Sequence, residues 1–209
     1  MNTRRTLLAA TVAAAVASVA LSGCASLTGP AWTTLIDGAQ GLDNWSRLGD
    51  ANWRADTQAG VIVADQGKAG FLVSPKSYKN FEIYAEFYAE ADTNSGIFIR
   101  AQDTKSVGAD NSYEVNIWDI RPDPTYATGA IVGFANVPVP VVHKAGGRWN
   151  TMEITAKGNW VMVKLNGVVT SQMVNDKFAQ GPFALQFGPG VKGVTGGAIK
   201  WRKVMVREL

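Results

Sequence analysis

Cysteine and histidine are nearly absent from this sequence, which has one of each, Cys24 and His143, among 209 residues. A chain with a single thiol forms no internal disulfide, so its stability must come from packing. One histidine also excludes a histidine-rich metal site and any mechanism that needs two histidines. An oxygen-ligated Ca²⁺ in a loop is the one metal left open, and we expect no other cofactor.

The sequence also lacks a surplus of charge. It has 20 basic and 17 acidic residues, a net charge of +3. Two of the basic residues, Arg4 and Arg5, belong to an N-terminal leader described below, and without them the surplus falls to +1. No stripe of Lys or Arg is present, so we expect no nucleic-acid partner.

Long hydrophobic runs are missing except near the N-terminus, where an apolar run from Leu7 to Leu21 follows the two arginines. This run is too short for a comfortable membrane span and is typical of an export signal. It ends in Leu-Ser-Gly-Cys at residues 21–24, which resembles the bacterial lipobox. The resemblance implies cleavage before Cys24 and a lipid anchor on its thiol. The alternative is a plain secretory signal with an incidental cysteine.

We therefore predict three parts: a lipoprotein signal peptide at residues 1–23, the lipidated Cys24 with a tether over residues 24–30, and one domain at residues 31–209. Membrane attachment would be through the N-terminal lipid, which implies a location in the cell envelope. Ala25 after the cysteine resembles an outer-membrane address, so in a cell with two membranes the protein would face the periplasm. Nothing in the sequence indicates the oligomeric state.

The predicted domain consists of many short apolar segments separated by turn residues, and no segment outside the leader reads as an amphipathic helix. The Asn166-Gly167 pair is the strongest hairpin signal in the chain. Short strands at regular spacing predict an all-β sandwich of two antiparallel sheets.

Two of these segments, residues 94–100 and 113–119, carry the most distinctive chemistry and are predicted to be strands of one sheet. Because side chains alternate across a strand, Glu114, Asn116 and Trp118 share one face of the second segment. On the first segment the same alternation places Phe98 and Arg100 together. A face with a carboxylate, an amide and an indole is suited to a sugar, although most half-solvated strand faces bind nothing.

Several segments, in this order, resemble the family of 3-keto-disaccharide hydrolases. They are residues 32–38, 94–100, 113–119, 128–131, 148–150, 165–167, 181–182 with 185–186, and 201–204. The resemblance covers nearly the whole predicted domain. It implies a concanavalin A-like jelly-roll fold with a carbohydrate site on the concave face of one sheet.

The expected chemistry of this site depends on a single carboxylate. Ordinary glycosidases use two carboxylates flanking the bond, whereas only Glu114 lies in phase on the predicted face, because Asp119 points the other way. One base is enough for a sugar already oxidised at C3, since the ketone acidifies the C2 hydrogen. We therefore predict Glu114 as the base, with Arg100 and Asn94 as donors to the enolate oxygen. The plainer alternatives are a surface salt bridge between Glu114 and Arg100 and a turn cap by Asn94.

Substrate contacts are expected from six further residues on the predicted face and the matching segments: Asn116, Trp118, Phe98, Lys144, Trp149 and Gln186. The sequence departs from the family pattern at two points. In many members the Leu-Gln pair is followed by one further residue and then by His-Gly. That His-Gly is absent here, and Asn116 stands where Gln is usual. A membrane-tethered hydrolase of 3-keto-glycosides is thus one hypothesis. A non-catalytic carbohydrate-binding lipoprotein is the second, and a purely structural envelope protein the third.

Overall fold

The computed structural model describes residues 29–191 and 196–209. The predicted signal peptide, Cys24 and most of the tether lie outside these residues. Within them, no helix is both long and apolar enough to cross a membrane.

Strands make up almost all regular structure in the described part of the chain, together with short 3₁₀ helices at Leu42–Asn44 and Pro124–Tyr126. The strands are β1 Thr33–Asp37, β2 Ser46–Gly49, β3 Arg54–Asp56, β4 Val61–Ala64, β5 Gly70–Val73, β6 Phe81–Ala89, β7 Asn94–Ile99, β8 Tyr113–Ile117, β9 Arg148–Lys157, β10 Trp160–Leu165, β11 Val168–Val174, β12 Ala184–Gly188 and β13 Ile199–Glu208.

The strands form two antiparallel sheets packed face to face. The larger sheet has the order β11-β10-β9-β6-β13-β4-β3, and β1 also pairs with β13. The smaller sheet has the order β2-β5-β12-β7-β8. The predicted all-β sandwich is therefore confirmed.

Alternation along the strands builds the core of the larger sheet. In β6, every second residue from Phe81 to Ala89 is buried, and the residues between them are half-buried on the outer face. Trp201 of β13 is fully buried and packs against Phe87 with ring centroids 5.6 Å apart. Each large apolar side chain removed from water contributes about 1.5–3 kcal/mol before entropy is counted.

The smaller sheet differs because its outer face is also covered. All residues of β7 and β8 are buried, although only alternate ones, such as Ile97 and Val115, belong to the main core. A segment from Gly129 to Val132 runs along the free side of β8, where the amide of Asn116 donates to the carbonyl of Ala130 at 3.0 Å. The amide of Val132 donates to the carbonyl of Glu114 at 2.9 Å. We call this segment the covering segment; it leaves the predicted functional strand without an open edge.

Candidate functional site

The register of three strands brings the predicted site residues onto the outer face of the smaller sheet. Phe98 of β7 lies opposite Glu114 of β8, and Gly96 lies opposite Asn116. On its other side Gly96 is opposite Gln186 of β12. Directly paired residues of antiparallel strands share a face. The structure thus confirms that Phe98, Glu114 and Asn116 point to the same side.

One half of this face is apolar. Phe98, Val73 and Ala184 form a small buried cluster, against which Phe71 packs in a T-shaped pair with the Phe71 and Phe98 ring centroids 5.2 Å apart. Val107, from the loop between β7 and β8, also packs against this cluster. Glu114 therefore stands beside hydrocarbon and not beside open water.

The burial of Glu114 determines its acidity. The residue is only 7% exposed, and burial raises the pKa of its carboxyl group, while the nearby charge of Arg121 lowers that pKa. A guanidinium nitrogen of Arg121 is 3.8 Å from a Glu114 carboxylate oxygen, beyond hydrogen-bond distance. The same guanidinium lies 5.7 Å from the ring centroid of Trp118. Arg121 was not predicted; its only signal was its place in the loop directly after the functional strand.

Three residues near the end of β8 and on β12 each carry a buried polar atom without a hydrogen-bond partner. The side-chain oxygens of Asn116 and Gln186 and the indole nitrogen of Trp118 are buried and have no hydrogen-bond partner among the described residues. The amide nitrogen of Asn116 donates to the carbonyl of Tyr126 at 2.6 Å, which fixes the orientation of that amide. A buried polar group without a partner costs about 1–3 kcal/mol. The indole nitrogens of Trp45, Trp53 and Trp201 in the core also have no partner among the described residues, so the site is argued from the chemistry of its residues together and not from this cost alone.

Gly96 lies between Gln186 and Asn116 in the register of the three strands. A Cβ atom at this position would lie 2.9 Å from the carbonyl oxygen of Val115 and 3.6 Å from the side-chain oxygen of Gln186. The contact with the backbone of Val115 is too short for a real Cβ atom, so this position requires glycine unless the backbone shifts. A hydroxylated ring fits the pattern of two acceptors and one donor, since hydroxyl groups both donate and accept.

Arg100 does not belong to this site, and the prediction that it shares a face with Phe98 is wrong. Its φ of 55° turns the chain out of the strand conformation, so the alternation ends at Ile99. The guanidinium is fully buried and donates to the carbonyls of Phe178 at 3.1 Å, Lys79 at 2.7 Å and Gly158 at 2.8 Å. Arg100 is a structural clamp between three distant segments, and the alternative of a Glu114–Arg100 surface pair is equally wrong.

Asn94 is on the correct face but at its far end. It lies four residues along β7 from Phe98, a separation of about 13 Å, so it is too distant to act together with Glu114 on one small group. Its amide nitrogen donates to the carbonyl of Pro189 at 2.6 Å. This contact differs from the turn cap considered as an alternative, because it joins β7 to the chain after β12.

Trp149 is on the wrong sheet for the predicted site. It belongs to β9 and lies on the outer face of the larger sheet, where the Arg202 guanidinium is 4.2 Å from its ring centroid and Tyr88 is 5.9 Å away. The two outer faces of a sandwich point in opposite directions, so Trp149 cannot contact a ligand held by Glu114. The order of the matching segments along the chain does not reveal the sheet to which each segment belongs.

Lys144 lies on the loop that Asp119 holds near the end of β8. The Asp119 carboxylate accepts hydrogen bonds from the Thr128 hydroxyl at 2.6 Å and from the amides of Ala145 and Gly146 at 3.0 and 2.8 Å. Lys144 itself is exposed. Asp119 is thus committed to loop structure, which agrees with its predicted orientation away from Glu114.

No three side chains among His, Cys, Asp and Glu come together as potential metal ligands in the described ranges 29–191 and 196–209. Ca²⁺ is also bound by backbone and amide oxygens, so the oxygen-ligated Ca²⁺ left open by the composition stays a prediction.

Solved structures with similar folds support the lectin-like architecture. A candidate glycosyl hydrolase from Parabacteroides distasonis ATCC 8503 superposes with a TM-score of 0.65 at 18% identity, covering 85% of this chain and 94% of its own. A second from the same organism gives 0.61 at 23% identity, covering 86% and 100%. A carbohydrate-binding module from Bacillus subtilis gives 0.56 at 14% identity, covering 85% and 95%. At these identities the likeness concerns the fold, a jelly-roll sandwich as predicted.

The sequence itself gives no match among curated proteins. Residues 31–207, in contrast, match the family described as the 3-keto-alpha-glucoside-1,2-lyase-like domain. This span takes in both sheets and every residue of the face around Gly96. The chain therefore belongs to the 3-keto-alpha-glucoside-1,2-lyase-like family, as the resemblance to the 3-keto-disaccharide hydrolases implied.

Proposed function

We propose that this protein cleaves glycosides that carry a ketone at C3 of the sugar, with Glu114 as the base. The observation that carries the proposal is the buried Glu114 carboxylate, which has a raised pKa and a cation nearby but no hydrogen-bonded ion pair. A carboxylate with a raised pKa is a stronger base than one in water. The family description, which names a lyase acting on such glucosides, agrees with proton abstraction.

The reaction is a proton transfer followed by elimination. Glu114 takes the proton from C2, and the electron pair of that bond forms an enolate with the C3 carbonyl. The C3 carbonyl then re-forms, and the electron pair of the enolate becomes the C1–C2 double bond. The C1–oxygen bond breaks at the same time, and its electron pair leaves with the aglycone oxygen. The protonated Glu114 can return its proton to the departing oxygen. Addition of water across the double bond would complete a net hydrolysis.

Arg121 takes the role first predicted for Arg100. Its guanidinium lies within 4 Å of Glu114, so a ketone bound next to the base would also be next to this cation. A positive charge stabilises the negative charge that develops on the enolate oxygen. The buried oxygens of Asn116 and Gln186 would accept from sugar hydroxyls, and the Trp118 indole nitrogen would donate to an oxygen of the ring.

The remaining parts of the proposal come from the sequence. Cleavage before Cys24 and lipidation of its thiol would tether the domain to a membrane of the cell envelope, with residues 24–30 as the spacer. The ligand would be a glycoside present outside the cytoplasm.

A non-catalytic carbohydrate-binding protein is the second candidate. Its support is the missing His-Gly after the Leu185-Gln186 region and the similarity of fold to a carbohydrate-binding module. In that case the unpartnered atoms of Asn116, Gln186 and Trp118 would hold an intact sugar, and Glu114 would accept from a hydroxyl.

A panel of 3-keto-glycosides and their unoxidised parents tests both candidates. Product release is measured with the wild-type protein, with Glu114→Gln, and with Glu153→Gln on the opposite outer face as the matched control. Turnover of only the keto substrates, lost in Glu114→Gln and kept in Glu153→Gln, supports the enzyme. Thermal stabilisation by unoxidised glycosides without any turnover supports the binding protein and contradicts the enzyme.

A further inference from the structure

Three of the seven tryptophans of this chain lie on the outer face of the larger sheet, away from Glu114. They are Trp32, Trp149 and Trp160. Trp32 and Trp149 are 38% and 37% exposed, and Trp160 is half-buried. Exposed aromatic side chains gathered on one face mark binding sites more often than single ones do. This face is therefore a candidate for a second site.

Trp32 contacts an ion pair at one end of the face. The guanidinium of Arg207 lies 4.6 Å from the Trp32 ring centroid and donates to the carboxylate of Glu82. A cation held between a ring and a carboxylate has few rotamers left, so the indole is fixed before any ligand binds. We call Trp32, Arg207 and Glu82 the first indole group.

A second indole group of the same composition lies farther along the sheet. The guanidinium of Arg202 lies 4.2 Å from the Trp149 ring centroid and donates to the carboxylate of Glu86. A β-bulge in β13 directly after Trp201 brings Arg202 to this position. Glu82 and Glu86 are four residues apart on β6, a distance of about 13 Å. The sheet thus presents two fixed indoles at separate points along its strands.

A cavity of about 300 Å³ begins at the first indole group and extends over β6, β9 and β10. Its walls include Tyr84, Thr155 and Met162, which supply two hydroxyl groups and a hydrocarbon surface. The Tyr84 hydroxyl donates to Glu86 at 2.7 Å, so the cavity is connected to the second indole group. A ligand in this cavity would meet hydrogen-bonding groups and an indole together.

The chemistry of the two groups favours a neutral, hydroxylated ligand. In each group the carboxylate balances the charge of the guanidinium, so the pair does not attract a polyanion. An apolar peptide laid over them would bury two ion pairs, which costs free energy. Hydroxyl groups, in contrast, donate to carboxylates and accept from guanidinium groups. The C–H faces of sugar rings are apolar and can stack on indole rings.

We propose that the outer face of the larger sheet binds a neutral polysaccharide chain, with Trp32 and Trp149 each contacting a sugar ring. The two groups are too far apart for one ring, so the ligand is a chain of several sugars. The two outer faces of the sandwich point in opposite directions, so a bound polysaccharide would hold the protein on a polymer without occupying the Glu114 face. The proposal is independent of the chemistry proposed for that carboxylate.

Affinity electrophoresis tests the proposal. The chain from residue 25, which contains every strand of the sandwich, is run in native gels with hydroxyethylcellulose, xyloglucan, galactomannan, dextran or heparin. We expect at least one neutral polymer to retard the wild type, and Trp32→Ala and Trp149→Ala to weaken that binding about tenfold each. Ile120→Ala removes an exposed apolar side chain just after β8 and should bind as the wild type does.

Three results would overturn the proposal. The first is no retardation by any neutral polymer, and the second is retardation by heparin alone, which would assign the face to a polyanion. The third is binding that is unchanged in Trp32→Ala and Trp149→Ala. Equal melting temperatures exclude unfolding as the cause of lost binding. Trp149→Phe keeps an aromatic ring and should bind more strongly than Trp149→Ala.

Competition by short sugars tests the use of both groups. Oligosaccharides of the retarding polymer, from the disaccharide to the hexasaccharide, are added to the binding reaction. A chain that reaches both indoles gains from the second contact, so the hexasaccharide should compete about tenfold more strongly than the disaccharide. This advantage should shrink in Trp149→Ala. Equal competition by the two lengths in the wild type would exclude a chain that spans both groups.

Discussion

The carboxylate of Glu114 and the guanidinium of Arg121 approach to 3.8 Å without forming a hydrogen bond. The pair is close enough for the cation to lower the pKa of Glu114, but burial acts in the opposite direction and is the larger effect. As a result, the Glu114 carboxyl group holds its proton more tightly than one in water. Ionising it in the folded protein therefore costs free energy. Such a balance is typical of functional acids and bases.

The ionised Glu114 carboxylate should lower the free energy of unfolding. Because the folded-state pKa of Glu114 is raised above 4.5, the folded protein binds more protons than the unfolded chain between 4.5 and that raised value. Stability conferred by the proton is full below 4.5 and is lost as pH rises through the folded-state pKa. We expect Glu114→Gln to increase the free energy of unfolding at pH 7 by about 0.5–2 kcal/mol. Urea unfolding at pH 7 and pH 4 measures this, and a variant less stable than wild type at pH 7 would contradict it.

Arg121 should control the pH dependence of turnover. Removing its charge in Arg121→Gln leaves burial unopposed and raises the pKa of Glu114 further. The base is active when deprotonated, so the acid limb of the kcat/KM profile should move to higher pH and the maximum should fall. Arg121→Lys keeps the charge and should shift the limb less. An unmoved limb in Arg121→Gln would mean that Glu114 is not the titrating base.

Arg100 should matter for stability and not for chemistry. In Arg100→Met, the buried carbonyls of Lys79, Gly158 and Phe178 lose their donor, and we expect a loss of about 3 kcal/mol in the free energy of unfolding. Arg100→Lys should lose less, because an ammonium group still donates. Turnover per folded molecule should stay near the wild-type value at low temperature. A selective fall in kcat without loss of stability would restore a catalytic role.

Gln186→Leu separates ligand binding from folding. The Gln186 side-chain oxygen is buried without a partner, so an apolar residue of similar size removes a desolvation cost. We expect an unchanged or higher melting temperature and at least tenfold weaker binding of the keto substrate. The change of melting temperature with ligand concentration gives both quantities. Binding at wild-type strength would show that the orphan oxygen does not face the ligand.

The sequence was sufficient to predict the sandwich and the shared face of Phe98, Glu114 and Asn116, because alternation along a strand is a local property. It failed where the backbone leaves that pattern. Arg100 is one residue beyond the last β7 residue, and a positive φ turns it away from the face. Positive φ is enriched in glycine, asparagine and aspartate, and no propensity predicts it for an arginine.

Long-range placement was the second source of error. Trp149 was expected at the site because its segment matches the family, but only the strand order reveals that β9 belongs to the other sheet. Arg121 was missed for the converse reason, since a loop residue reaches the site through the path of the chain and not through periodicity.

The hydrogen bonds between β8 and the covering segment allow the opening of that segment to be measured. The amide of Asn116 donates to Ala130, and the amide of Gly129 donates to Asn116. Deuterium can replace the Asn116 amide proton only when the segment lifts from the strand. Exchange at this one position therefore measures how often the covering segment separates from β8, and a bound ligand that requires the paired form should slow it.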